Sequence, residues 1–316
     1  MLNLIDFSQC KENPKKSFLG ASSPKKCLIY NGEQYMVKFP AVPNPARTTL
    51  SYANGCLSEC LGCHIFEIAQ IPVQKTLLGT YKTETGKNKL VVACGDLEKP
   101  GTALMPFAGL KNQMINSPTN GFSTDLNELE EVFEKQALFD RETISAFFWD
   151  MFIVDALIGN FDRHNGNWGY LYDSIEDSVS LAPVYDCASS LFPQADEKTI
   201  DSILNNKAEM EKRIFVFPNS AIKLDGKKLS YYEYINSFVN KDCTEALLRV
   251  YPRLDMDKIN ALFDSLEGIV DAKQIVFYKT MIKARRKRIL EPAYEKARQI
   301  ETQKTKKKKT SLADDR

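Results

Sequence analysis

The feature that most constrains the fold of this chain is a long apolar segment, residues 141–160, that leads directly into a polar loop. Within RETISAFFWDMFIVDALIGN, apolar side chains recur at steps of three and four. This spacing predicts a strongly apolar α-helix at the centre of a mostly helical lobe, ended by Gly159-Asn160. The polar sequence FDRHNGNWG therefore begins where a buried helix stops.

Strand-like segments dominate the chain before this lobe. The sequence CLIYNGEQYMVKFP predicts a hairpin around Asn31-Gly32, because Asn-Gly supplies the positive φ values of a two-residue turn. A helical segment, LSECLGCHIFEIAQ, follows, and VQKTLLGTY and KLVVACGDL read as further strands. These segments predict a small α+β lobe built on an antiparallel sheet.

The expected fold class is therefore α+β with two lobes. Residues 1–97 form the β-rich N-lobe, and residues 98–298 form the mostly helical C-lobe, with WGYLYD and SVSLAPVYD as paired strands. Residues 299–316 contain a lysine cluster and few apolar side chains, which predicts a disordered basic tail. A lysine cluster of this kind most often marks a solvent-exposed end of the chain. A nuclear-import or translocation tract is the alternative.

Charge and hydropathy exclude several classes of partner. Lys plus Arg total 42 and Asp plus Glu total 41, so overall charge does not draw the chain to nucleic acid. The N-terminus lacks a secretion signal, and no apolar run reaches the roughly 18 residues of a membrane span. We expect a monomer that is cytoplasmic as synthesised, with no nucleic-acid or membrane partner.

The cysteines raise the question of a metal site. Eight of them are scattered through the chain, which predicts free thiols rather than a disulfide framework. Cys56, Cys60, Cys63 and His64 lie close enough in sequence to suggest zinc. Their helical spacing instead favours a buried apolar stripe, because no second pair of ligands follows at finger-like spacing.

Three polar residues around the loop have the chemistry of a phosphoryl-transfer site. Asp162 and Asn167 are spaced D-x-x-x-x-N, and Asp186 follows a strand expected to pair back toward them. A carboxylate can orient an acceptor hydroxyl, and Asn and Asp oxygens are suitable Mg²⁺ ligands. The spacing is that of a kinase catalytic loop, with Asp162 as base and the other two residues as metal ligands.

Each of these residues also has an ordinary structural explanation. Asp162 could cap a turn, Asn167 could form a side-chain turn, and Asp186 could end a strand. Together with Arg163 and His164 inside the loop, the pattern DRHxxN favours the catalytic interpretation. We expect His164 to orient the loop rather than to act as the base.

Kinase chemistry also needs a lysine for the phosphates, usually held by a glutamate from a nearby helix. Lys38, at the end of the strand MVKF, and Glu59 fit these roles, and a solvated strand lysine and a helix-flank glutamate are the alternatives. The segment SFLGASSPKK, with Gly20, is a candidate phosphate loop, against a plain surface turn. The strand KLVVACGDL, with Ala93 and Gly95, lies where an adenine-binding hinge would be.

These motifs resemble those of the HipA-like serine/threonine kinase family over most of the chain. The resemblance rests on SFLGA, YMVKFP, LVVACGD, FFWDMFIVDALIGNFDRHNGNWG and LAPVYDCASSLFPQAD. It implies a two-lobed protein-kinase-like fold, ATP and Mg²⁺ as cofactors, and a protein substrate with a Ser or Thr acceptor. The candidate residues are Asp162, Lys38 and Glu59 for catalysis, Ser17, Gly20, Ala21, Lys38, Ala93, Gly95, His164, Asn167 and Asp186 for nucleotide binding, and Asn167 and Asp186 for the metal.

The resemblance also implies regulation at Ser17, the position whose phosphorylation ejects the nucleotide loop in HipA-like kinases. Autophosphorylation there would add up to about two negative charges beside the ATP phosphates. The chain departs from the eukaryotic pattern, since H-R-D and D-F-G are absent and Cys187-Ala188 follow Asp186. It also begins almost at the phosphate loop, without the preceding segment of full-length HipA toxins, which argues against an antitoxin partner.

Two other functions share part of this pattern. Phosphoinositide-type lipid kinases also have D-R-H-x-x-N, but no amphipathic membrane-facing helix is evident here. A nucleotide-binding pseudokinase or adaptor is the second alternative, and the intact set of Lys38, Asp162, Asn167 and Asp186 argues against it. A role as a bacterial effector, secreted or translocated into a host cell without a signal peptide, is left open by the sequence.

Overall fold

The N-terminal part of the chain is organised around one six-stranded sheet. The computed structural model describes residues 2–16, 24–40 and 53–314, with the backbone alone from residue 304 onward. The strands of this sheet are β1 (Ile5–Asp6), β2 (Lys11–Glu12), β3 (Lys25–Tyr30), β4 (Glu33–Lys38), β5 (Thr76–Lys82) and β6 (Asn88–Gly95).

The strand order is β1-β5-β6-β4-β3-β2, and every pairing except β1 with β5 is antiparallel. The predicted hairpin joins β3 and β4, with φ of 49° at Asn31 and 81° at Gly32. Its register places Lys25 opposite Lys38, and β6 flanks Lys38 on the other side. The lysine-bearing strand is thus central in the sheet.

One helix, α1 (Gly55–Ile68), covers a face of this sheet by packing on β5 and β6. Cys56, Cys60 and Cys63 are buried in the main core, as a helical apolar stripe requires. His64 Nδ1 lies 2.8 Å from the Cys60 carbonyl oxygen, which is an intrahelical contact. The stripe interpretation of these cysteines is therefore confirmed.

The chain after residue 97 is mostly helical, with two small sheets. One of these has the order β7-β8-β9 and the other is the hairpin β10–β11. The strands are β7 (Thr102–Pro106), β8 (Gly169–Asp173), β9 (Ser178–Leu181), β10 (Lys223–Leu224) and β11 (Lys227–Lys228), and the α-helices are α2 (Phe107–Ile115), α3 (Leu126–Lys135), α4 (Arg141–Ile158), α5 (Glu197–Asn205), α6 (Lys207–Phe215), α7 (Tyr231–Ser237), α8 (Lys241–Val250), α9 (Met256–Asp264), α10 (Ala272–Arg285) and α11 (Glu291–Asp314).

Helix α4 lies at the centre of this helical part, as its periodicity predicts. Ile144, Phe148, Met151, Val154 and Ile158 are all buried, and the helix packs against α3, α8 and α10. The predicted pairing of the two following strands is also confirmed, since β8 and β9 are antiparallel neighbours. The proposed lobe boundary after residue 97 falls between β6 and β7, which belong to different sheets.

The C-terminal tail differs from the prediction of disorder over residues 299–316. Helix α11 begins at Glu291 and continues to Asp314. Lys, Gln, Glu and Ala are good helix formers, and no Gly or Pro follows Pro292. Among the described residues, no helix combines the length and apolarity needed to span a membrane.

Candidate active site

The predicted catalytic loop starts where α4 ends. Gly159 takes the left-handed conformation with φ of 67° and ends the helix. The next residue, Asn160, is fully buried, and its amide donates to Asp155 Oδ1 (3.0 Å) while its oxygen accepts from the Asp162 backbone N–H (3.1 Å). The Tyr231 hydroxyl donates to the Asn160 carbonyl at 2.6 Å. The position of Asp162 is therefore set relative to the core helix.

Arg163 joins this loop to the segment that carries Asp186. Its guanidinium is buried and donates from Nε to Asp155 Oδ2 (3.0 Å) and from Nη1 to the Asn167 carbonyl (2.8 Å). Nη1 also donates to the carbonyls of Tyr185 and Asp186. Burial lowers the pKa of Arg163, but its polar partners, with Asp155 foremost, together outweigh burial and raise it, so Arg163 stays charged.

Asp162 and Asn167 lie at the mouth of the loop. Asn167 donates from Nδ2 to the Asp162 carbonyl at 2.9 Å, a bond that does not use its side-chain oxygen. Asp162 is exposed as a residue, but partial desolvation of its carboxyl group raises the pKa, and the charge of Asp186 acts in the same direction. His164 acts in the opposite direction.

The described contacts of His164 lie inside the loop and with one neighbouring ring. Its Nδ1 accepts from the Gly166 backbone N–H at 3.0 Å, which closes a tight turn inside the loop. The ring also meets Phe122 edge-on, with centroids 6.1 Å apart. Its assignment as a nucleotide-binding residue stays a prediction.

Lys38 connects the sheet to the loop region. Its Nζ lies 3.1 Å from Glu59 Oε1 and 3.3 Å from Asp186 Oδ1, so residues far apart in sequence meet at one ammonium group. Glu59 is fully buried, and its Oε2 has no hydrogen-bond partner among the described residues. Cys94 lies beside it, with Sγ 3.7 Å from Oε1.

Burial and charge act against each other in this group. Burial raises the pKa of Glu59, and Lys38 opposes that rise. Burial would also raise the pKa of Asp186, but Lys38 and Arg163 outweigh it and lower the pKa. Asp186, whose side chain is 39% exposed, is therefore an anion available to a ligand from solvent.

The helix that carries Glu59 lies very close to the segment after Asp186. A Cβ on Gly62 would be 2.7 Å from the Cβ of Cys187 and 3.0 Å from Ser190 Oγ. Only glycine allows α1 to approach this closely without displacement of its neighbours. Asp186 itself has φ of 58°, so the chain turns sharply there and presents the carboxylate to Lys38.

Some candidate residues lie away from the group formed by Lys38, Glu59 and Asp186, and others fall outside the described part of the chain. Ser17, Gly20 and Ala21 lie outside the described residues. The Ala93 side chain is buried in a small core with Phe7, on the face of the sheet away from α1. Its neighbour Cys94 faces Glu59, because successive strand residues point to opposite faces.

Gly95 is already engaged by protein. Its carbonyl accepts from Gln74 Nε2 at 2.7 Å, and its N–H donates to the Lys75 carbonyl at 2.8 Å. These bonds fix the end of β6, where the hinge between the two parts of the chain is expected. Its contact with the nucleotide stays a prediction.

Sequence reasoning missed Asp155 and Asn160, which hold the loop from beneath. Asp155 is buried inside α4, among apolar residues. A carboxylate there costs free energy unless it is paired, so an acidic residue within an apolar helix was a signal of a buried partner. Nothing in the local pattern identified that partner as Arg163.

Three comparisons with known proteins bear on this site. Residues 17–246 match the profile of a family described as HipA-like C-terminal domain. The chain is 43% identical to the serine/threonine-protein kinase CtkA of Helicobacter pylori over 300 residues, which are 95% of this chain and 90% of that protein. The crystal structure of a Helicobacter pylori proinflammatory kinase CtkA has a TM-score of 0.86 at 43% identity, covering 93% of this chain and 99% of that one.

A more distant structure shares the fold alone. HipA of Shewanella oneidensis, solved with HipB and its operator DNA, has a TM-score of 0.52 at 14% identity. The match covers 89% of this chain and 67% of that one.

Proposed function

The chain belongs to the HipA-like kinase family, and on that premise we propose that it is an ATP- and Mg²⁺-dependent kinase that phosphorylates serine or threonine in proteins. Its relative of 43% identity is named a serine/threonine-protein kinase, so the predicted family, fold class and kinase activity are confirmed. The proposal adds ATP and Mg²⁺ as cofactors and the roles of individual residues. It also adds that phosphate passes from ATP to the acceptor hydroxyl.

One observation carries the proposal. Lys38 Nζ lies within 3.3 Å of both Glu59 and Asp186, while Arg163 ties the Asp186 backbone to the loop of Asp162. A phosphate-binding cation, a metal-binding carboxylate and a candidate base are thus connected through direct contacts. This is the set of groups that phosphoryl transfer from ATP requires.

The residues have distinct roles in this proposal. Lys38, held by Glu59, binds the phosphates of ATP, and Asp162 orients the acceptor hydroxyl and accepts its proton. Asn167 Oδ1 and the Asp186 carboxylate fit Mg²⁺, because both are hard oxygen donors, and Asn167 has its amide nitrogen already bonded to the loop. Mg²⁺ would neutralise charge that develops on the transferred phosphoryl group.

Other parts of the proposal rest on the family alone. Gly20 and Ala21 would cover the nucleotide phosphates, and Ser17 would be an autophosphorylation site whose added charge displaces the loop. The two lobes would meet near residue 97, with ATP between them. Delivery of the protein into a host cell is also proposed, because the basic tail would have a function in that setting.

The test is the Asp162→Asn variant. We expect phosphate transfer from radiolabelled ATP to a casein-like protein to fall by about a hundredfold or more, because the general base is lost. ATP binding should remain, since Lys38 and Asp186 are unchanged. Asp177→Asn is the matched control, because Asp177 lies exposed in the turn between β8 and β9 with φ of 46°, which Asn also tolerates.

Two outcomes would contradict the proposal. The first is wild-type activity in Asp162→Asn. The second is transfer by the wild-type protein to phosphoinositide vesicles in preference to protein, which would indicate a lipid kinase. Mass spectrometry after incubation with ATP and Mg²⁺ would show whether Ser17 receives phosphate.

A further inference from the structure

A small lysine-rich hairpin lies beside the catalytic loop. Strands β10 and β11 pair around a tight turn at Asp225 (φ 52°) and Gly226 (φ 77°). The hairpin is anchored to the main body, since the Lys223 backbone N–H donates to the Thr124 carbonyl at 2.8 Å. Leu224 is partly buried against the main core on the same hairpin.

The catalytic loop is hydrogen-bonded to segment 121–124, to which the hairpin is anchored. Asn165 donates from Nδ2 to the carbonyls of Gly121 (2.8 Å) and Ser123 (2.6 Å). Between these two carbonyls, Phe122 is 54% exposed and meets the ring of His164. The loop, the segment 121–124 and the hairpin therefore form one continuous surface next to Asp162.

Two lysines of the hairpin share one face of it. Lys223 and Lys228 are direct cross-strand partners, which places their side chains on the same face, whereas Leu224 is paired with Lys227 on the other. All three lysines are exposed, and none makes an ion pair within the described part of the chain. Like charges directly opposite each other destabilise a hairpin, so the pair has a cost that a bound anion would remove.

Lys228 lies near enough to Asp162 for the two charges to interact, and Lys223 is its cross-strand partner. Burial is the largest influence on the pKa of Asp162 and raises it, and the Lys228 ammonium is among the charges that oppose this rise. The nearest carboxylate on the anchoring segment is Asp125, whose Oδ1 is occupied by the Asn127 and Glu128 N–H groups at the start of α3. Asp225 at the turn is outnumbered by the lysines around it.

We propose that Lys223 and Lys228 bind an acidic side chain next to the acceptor Ser or Thr, and so direct the kinase to acidic sequences. The inference rests on the proposed function, because it places the acceptor hydroxyl at Asp162. An acceptor segment that reaches Asp162 passes over this surface, with Phe122 beneath it. The carboxylates of Asp162 and Asp186 would otherwise repel an acidic substrate, and the two lysines offset that repulsion.

The nucleotide phosphates are the other anions near this surface. Lys38, on strand β4 of the six-stranded sheet, contacts Asp186, where the phosphates would bind. The experiment must therefore separate an effect on the acceptor from an effect on ATP.

The test compares two synthetic peptides that differ only in charge. One has a single serine flanked on each side by aspartates, and its twin has asparagines in the same places. We expect wild-type kcat/KM to favour the aspartate peptide by about three- to tenfold, as exposed charge pairs are worth little individually. The preference should shrink in high salt.

Variants of the hairpin locate the effect. The Lys223→Ala, Lys228→Ala double variant should lose the preference, while Lys228→Glu should favour a third peptide with flanking lysines. Lys227→Ala is the matched control, since it removes the same charge from the other face of the same hairpin. Because all three side chains are exposed, the melting temperature should remain near that of the wild type.

Each remaining outcome is decisive. The inference is wrong if the wild type treats the two peptides alike, if the double variant keeps the preference, or if Lys227→Ala loses it equally. It is also wrong if the double variant raises the KM for ATP and leaves the peptide preference intact. Wild-type protein that labels itself but neither peptide overturns this inference alone, whereas no transfer of any kind overturns the proposed function with it.

Discussion

The two halves of the candidate site hold their buried charges in different ways. On the helical side, Arg163 is bonded to Asp155 and to three backbone carbonyls, and Asn160 is bonded at both ends of its amide. On the sheet side, Lys38 contacts two carboxylates at 3.1 and 3.3 Å, and one buried oxygen of Glu59 has no hydrogen-bond partner within residues 2–16, 24–40 and 53–303.

This difference indicates that the two halves of the candidate site have different roles. The bonds of Arg163 and Asn160 position the catalytic loop before any ligand arrives, although Asn165 Oδ1 in the same loop also lacks a partner among the described residues. In its described contacts, Lys38 directs its ammonium group to two carboxylates, and an ammonium group has three N–H donors. In the proposed function the loop side is therefore positioned by the protein itself, whereas the remaining donor capacity of Lys38 would serve the phosphates.

The largest expected effect comes from Arg163→Met, which would leave the buried Asp155 carboxylate bonded to the Asn160 amide but without its counter-charge. We expect a loss of about 3–5 kcal/mol in the free energy of unfolding, measured in urea. Arg298→Met, at an exposed position on α11, is the control and should change stability little. A loss below about 1 kcal/mol for Arg163→Met would show that the network is not what holds the loop.

A smaller effect on stability and a large one on activity are expected for Lys38→Met. Transfer should fall by about a hundredfold, since a charge that stabilises the phosphates is lost. Adding Glu59→Gln should recover stability without activity, because the unpaired buried acid is removed while the lysine stays absent. Lys75→Met is the control, as Lys75 pairs with Glu33 where both side chains are 60% exposed. Recovery of activity in the double variant would contradict the assigned role.

The smallest effect concerns the pH dependence of Asp162. Its pKa in the folded protein is raised by burial, so the folded state binds this proton more tightly than the unfolded chain. The ionised carboxylate therefore costs stability at neutral pH, and this cost disappears as the pH falls below the carboxyl pKa. Asp162→Asn should melt slightly above the wild type at pH 7, with the difference vanishing in acid.

The same shift predicts the acid side of the activity profile. Transfer should decline as the pH falls through the raised pKa of Asp162, because protonation removes the base. A melting temperature for Asp162→Asn that stays above the wild type at every pH would instead indicate a packing effect.

The local elements of this protein were accessible from sequence because short-range sterics dictate them. The hairpin at Asn31-Gly32 depends on residues that adopt positive φ, and α4 follows from its apolar period. The tail is a different case, because its composition predicts disorder whereas the backbone is helical from Glu291 to Asp314. Helix formation there depends on backbone propensity, which its residues favour.

The sequence by itself determined the DRHxxN loop, the strand that carries Lys38 and the helix that carries Glu59. Only the tertiary structure decided that Asp155 is the partner of Arg163, that Gly62 lets α1 meet the Asp186 turn, and that Cys94 rather than Ala93 faces Glu59. The physical reason is that periodicity and spacing are properties of neighbouring residues, whereas the pairing of buried charges depends on which elements pack together.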